Sequence, residues 1–116
     1  MRTLSLPPRR RGGEPETTVA QIAAGQPHVP VLVDYNLGSR EAWPPEQRVI
    51  VTIRRAANDS TVWTTEGSAL SLWDPATEST SILVPTRVLT AGDYRFELSV
   101  PDSAAPIYSS PFRVAP

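Results

Sequence analysis

Leu89 to Val100 reads LTAGDYRFELSV. Gly92-Asp93 is turn chemistry, and from Tyr94 onward the residues alternate strictly, with Tyr94, Phe96, Leu98 and Val100 on one side and Arg95, Glu97 and Ser99 on the other. Successive side chains of a strand point to opposite faces, so this period of two describes a strand buried on one face and wet on the other. The same period recurs upstream. HVPVLVDY, His28 to Tyr35, sets Val29, Val31, Val33 and Tyr35 against His28, Pro30, Leu32 and Asp34. RVIVTIRR, Arg48 to Arg55, puts Val49, Val51 and Ile53 on one face.

Shorter segments fill the rest. Thr3 to Leu6 alternates and stops at Pro7-Pro8, residues that cannot donate to a ladder. Arg9 to Glu16, RRRGGEPE, is loop chemistry, Thr17 to Ile22 is a further strand, and Gly25-Gln26-Pro27 turns the chain. Pro30 suits an edge or a bulge rather than a central position. Asn36 to Gln47 is a long loop carrying Trp43. Thr61 to Glu66 pairs with Arg48 to Arg55 as a hairpin whose tip is Asn58-Asp59, residues that tolerate left-handed geometry. Gly67 to Thr77 reads as a loop turning at Trp73-Asp74-Pro75. Ser79 to Val84 is a strand closed by Pro85, Thr86 to Ala91 has room for a single helical turn, and Ile107 to Ala115 is the last strand, with Pro111 a candidate bulge. Turn signals about every 8–12 residues and no helical period predict an all-β chain, an antiparallel β-sandwich of about seven to eight strands. One such sandwich spans 1–116 as a single domain.

Composition agrees. The chain has 116 residues, 40% of them hydrophobic and 20% charged, so one core fits. Thirteen prolines weigh against long helices, since each interior proline costs about 3 kcal/mol there. A net charge of −1 offers no field for nucleic acid or an anionic membrane. All eleven basic residues are arginine, which coding bias explains more simply than carboxylate or phosphate recognition. The absence of cysteine removes disulfides, thiolate nucleophiles and sulfur-ligated zinc. No apolar run approaches the roughly 20 residues of a membrane helix, so direct membrane insertion by this chain is not expected. The opening MRTLSLPPRRRGG lacks the apolar stretch of a secretory signal peptide, so export would draw on a segment outside this chain.

Leu89, Gly92, Asp93 and Tyr94 resemble the tyrosine corner of immunoglobulin-like sandwiches, in which the phenol bonds back to upstream backbone where the chain changes sheets. The lack of a cysteine pair separates the chain from antibody domains. More narrowly, LSLPPRRRGG, RVIVTIRRAANDSTVW, VPTRVLTAGDYRFELSV and the terminal PFRV are similar, in order, to the extracytoplasmic C-terminal domain of bacterial anti-sigma-factor-like membrane proteins. Those proteins begin with a zinc finger and one membrane helix, which this chain lacks. The resemblance implies an immunoglobulin-like fold and a location outside the cytoplasm, periplasmic or at the cell surface.

Candidate chemistry is sparse. His28 is the only histidine, with no GxSxG elbow to supply it a serine, and it reads as a polar strand end. Glu14 with Glu16, or Asp93 with Glu97, are carboxylate pairs that read as solvated charge balancing nearby arginines. Gly12-Gly13 forms no phosphate-binding loop. Asn58-Asp59-Ser60 matches the N-glycosylation acceptor, a tripeptide common by chance. Of the three tryptophans, Trp63 sits mid-strand and reads as core; Trp43 and Trp73, in loops beside proline, serve as caps of the sandwich or as stacking faces for a glycan. The chain therefore reads as a non-enzymatic interaction or assembly module without a cofactor or metal. A protein partner or a second copy would pair with its edge strands, the first and last above all, and glycan binding at Trp43 and Trp73 is the alternative.

Overall fold

The computed structural model describes residues 4–6, 18–22, 25–34, 44, 46–77, 79–103 and 105–115. Alternation becomes strand wherever the sequence carries it. The strands are β1 (Leu4–Leu6), β2 (Thr18–Ala20), β3 (His28–Val33), β4 (Arg48–Arg55), β5 (Thr61–Ser68), β6 (Trp73–Asp74), β7 (Ser79–Pro85), β8 (Gly92–Ser99) and β9 (Tyr108–Val114). They form two sheets, one of four strands in the order β1-β3-β7-β6 and one of five in the order β2-β9-β8-β4-β5. Chain order sorts β3 and β7 into one sheet and β4, β8 and β9 into the other, the division of an immunoglobulin-like sandwich.

Among the described residues there are nine strands rather than seven or eight, because the expected loop from Gly67 to Thr77 holds a short helix and a further short strand. One is α1, Ala69–Leu72, opened by a reciprocal cap in which the Ser68 and Ser71 side chains each bond the other's backbone N–H, at 3.1 and 2.9 Å. The other is the two-residue β6. The sandwich is also not wholly antiparallel: β1 runs parallel to β3, and β2 runs parallel to β9. The N-terminal part of the chain thus adds a short strand to each sheet.

Two prolines mark where those parallel strands join. β1 begins opposite Val31, one residue after Pro30, and β2 begins opposite Phe112, one residue after Pro111. A residue without an N–H is tolerated at such a locally open flank. Pairing of β9 with β8 runs through Pro111 without a register shift, so that proline makes no bulge. The bulge lies elsewhere, in β5, where Val62 is the extra residue opposite Ile53 and Arg54 of β4.

The core is the set of inward positions. Val29, Val31, Val33, Val49, Val51, Ile53, Tyr94, Phe96, Leu98 and Phe112 are all buried at 2% exposure or less. The aromatic rings come from β8 and β9: Tyr94 stacks on Phe112 with centroids 5.4 Å apart, and Phe96 meets Tyr108 edge-on at 6.3 Å. Burying each such side chain stabilises by about 1.5–3 kcal/mol.

Candidate interaction surface

The expected helical turn before β8 is a 3-10 turn, Thr86–Val88, closed by the N–H of Leu89 bonding to the carbonyl of Thr86 at 3.0 Å. It carries the chain from β7 in one sheet to β8 in the other. Leu89 is buried beneath the turn, and Gly92 takes a φ of 151°, which side chains rarely permit. Tyr94 is wholly buried, and its hydroxyl donates to the carbonyl of Thr90 at 2.7 Å, the geometry of a tyrosine corner. The guanidinium of Arg55 lies over the Tyr94 ring, 5.5 Å from its centroid. Asp93 points outward and pairs with Arg113 at 2.7 Å, which holds the arginine's pKa above its usual value. This corner fixes a crossover.

Asp93 and Glu97 share the outer face of β8 but stand four residues, about 13 Å, apart along it. Each has its own cation. Glu97, only 10% exposed in its side chain, takes Arg54 at 2.7 Å and Arg95 at 3.4 Å, and Arg95 also pairs with Asp59 at the hairpin tip. Asp59 there adopts a φ of 59°, and the Asn58 side chain accepts from the N–H of Ser60 at 3.1 Å. Arg48 and Glu66 add a fifth ion pair, from β4 to β5. The outer face of the five-stranded sheet is thus a ladder of compensated charge.

His28 is the exposed first residue of β3, opposite Pro85. No group of three or more His, Asp or Glu side chains suited to a metal occurs among the described residues. Tyr108 sits deep enough that burial pushes its phenol above the ordinary 10.0, against the opposing effect of a hydrogen bond with the Ser110 side chain. Trp73 is half-buried on β6 and packs against the core cluster, as does Trp63 on β5. Trp43, Glu14, Glu16 and Gly12-Gly13 lie outside the described residues. An open depression of about 320 Å³ is lined by Ser5, Leu6, Leu32, Asp34, Thr77 and Ser79, at one end of the four-stranded sheet.

No family model, curated protein or solved structure matches the chain.

The surface is therefore described by its edges. Among the described residues β1, β2, β5 and β6 end the two sheets; β9 lies between β2 and β8, with β2 beside only Phe112 to Val114. Sequence reasoning expects the contact elements at the terminal strands; β5 is a further sheet end that it does not single out. Its length and its freedom from proline are visible in TVWTTEGS, but its place beyond β4 follows only from the pairing of β4 with β8. Among the described residues no helix is long and apolar enough to cross a membrane.

Proposed function

We propose that this chain is a non-enzymatic interaction or assembly module that works outside the cytoplasm and binds a protein partner through the edges of its sheets. The observation that carries this reading is the division of labour on the surface. The carboxylates of β8 are held in ion pairs between strands, while the edge strands keep one flank of backbone donors and acceptors free of any strand partner among the described residues. A free flank of that kind is a template for another chain. The resemblance of LSLPPRRRGG, RVIVTIRRAANDSTVW and VPTRVLTAGDYRFELSV to the C-terminal domain of bacterial anti-sigma-factor-like membrane proteins supports the location.

The test combines two measurements on the purified chain: sedimentation over a concentration series, and retention of proteins from a bacterial envelope extract on the immobilised chain. Self-association or specific retention supports the reading. A strict monomer that retains nothing overturns it.

A further inference from the structure

β1 is held in place by little. It has three residues, Leu4–Leu6, paired in parallel with Val31, Leu32 and Val33 of β3. A ladder that short opens before the longer strands of a sheet do. What it fills is nevertheless well defined: Leu4 and Leu6 are each 2% exposed and belong to the core, while Ser5 between them faces out. The flank of β3 is thus a seat for an alternating aliphatic strand, and β1 shows how such a strand binds there.

The seat is longer than its occupant. The Asp34 N–H donates to the Leu6 carbonyl at 3.2 Å. A parallel ladder would next have the N–H two residues beyond Leu6 donate to the Asp34 carbonyl, but that residue is Pro8, which has no N–H. Pairing of β1 with β3 accordingly ends at Leu6 and Val33. There the depression of about 320 Å³ opens, lined by Ser5 and Leu6 on one side, Leu32 and Asp34 beside them, and Thr77 and Ser79 beyond. The carboxylates of β8 each have an arginine, whereas that of Asp34 has no hydrogen bond or ion pair among the described residues.

Resting on the edge-binding reading above, we infer that the seat of β1 on β3 is the partner site: an extended segment of another protein, of pattern Leu-x-Leu-Arg-x with no proline in the last place, displaces β1 and runs parallel to β3. Its two leucines take the places of Leu4 and Leu6, opposite Val31 and Val33. Its arginine comes opposite Asp34. Register partners share a face, so the guanidinium reaches the carboxylate and, with its remaining donors, the hydroxyls of Thr77 and Ser79 in the depression. The N–H of its last residue supplies the bond to the Asp34 carbonyl that Pro8 cannot make. Pro7-Pro8 therefore make β1 the weaker ligand for its own seat, an occupant that covers the β3 flank until a better strand replaces it.

The probe is a fluorescent synthetic peptide, TLSLRVT, which keeps residues 3–6 and replaces the two prolines that follow. Titrated with the full chain, its anisotropy should rise to saturation, with affinity about tenfold above that of the native stretch TLSLPPR. The peptide with asparagine in place of both leucines should not bind. Asp34 is exposed, so Asp34→Asn leaves the fold intact by far-ultraviolet circular dichroism and should weaken binding of TLSLRVT about fivefold. The chain carrying Pro7→Arg with Pro8→Val gives its own strand the same contacts, and it should bind the added peptide about tenfold less tightly. No saturable binding up to millimolar chain overturns the inference, as does binding that the asparagine peptide shares or that both chain variants leave unchanged. Retention of an envelope protein that TLSLRVT does not displace also overturns it, while leaving the broader edge-binding reading in place.

Discussion

The two sheets face each other with different inventories. Among the described residues the five-stranded sheet supplies every buried aromatic ring, Tyr94, Phe96, Tyr108 and Phe112, whereas β3 and β7 of the four-stranded sheet answer with Val29, Val31, Val33, Ile82 and Val84. Rings packed against branched aliphatics interdigitate, which is how a thin sandwich reaches the density of a protein interior. The outer faces diverge further. Ion pairs link β4, β5, β8 and β9 across one, but the other presents Ser5, Pro30, Leu32, Ser81 and Leu83 with no ion pair joining its strands among the described residues. The same alternation therefore makes two surfaces of opposite character: one whose charges are spent on each other, and one nearly uncharged.

Breaking this division on the inside has the largest expected effect. Phe96→Ala should cost about 3–5 kcal/mol in urea unfolding and Val31→Ala about 2 kcal/mol, because the ring leaves the larger cavity. Equal costs would mean that the split between ring and valine has no energetic content. On the outside, Glu97→Ala strips Arg54 and Arg95 of their shared carboxylate. The two arginine side chains remain 33% and 37% exposed, so the loss should be about 1–2 kcal/mol, below that of a fully buried pair. Ser81→Ala on the other outer face should change stability by less than about 0.5 kcal/mol in the same assay. Tyr94→Phe keeps the ring and deletes one hydrogen bond to the carbonyl of Thr90, an expected loss of about 1 kcal/mol; no loss would reduce the corner to packing alone. The smallest effect is that of Arg48→Ala, at a pair about half exposed on both sides. It should stay under about 0.5 kcal/mol and vanish as salt is raised during thermal unfolding.

Much of the inner face was legible in the sequence. Val29, Val31 and Val33, then Val49, Val51 and Ile53, then Tyr94, Phe96 and Leu98, were each placed by a period of two, and each is buried. Asn58-Asp59 announced its hairpin through side chains that accept the required backbone geometry. What escaped was of two kinds. α1 and β6 are too short to carry a period, and the reciprocal cap of Ser68 and Ser71 shows only in the structure. The place of β5 at the end of its sheet among the described residues escaped because nothing in TVWTTEGS distinguishes an outer strand from an inner one.

By itself the sequence determined which segments are extended and which face of each is dry, because alternation is a local property enforced by the direction of successive side chains. Tertiary structure alone decided who pairs with whom: β1 parallel to β3, β2 parallel to β9, β9 between β2 and β8, and β5 at the end of its sheet among the described residues. Those choices are made by backbone hydrogen bonds between segments distant in the chain, and the backbone is chemically the same at every residue except proline.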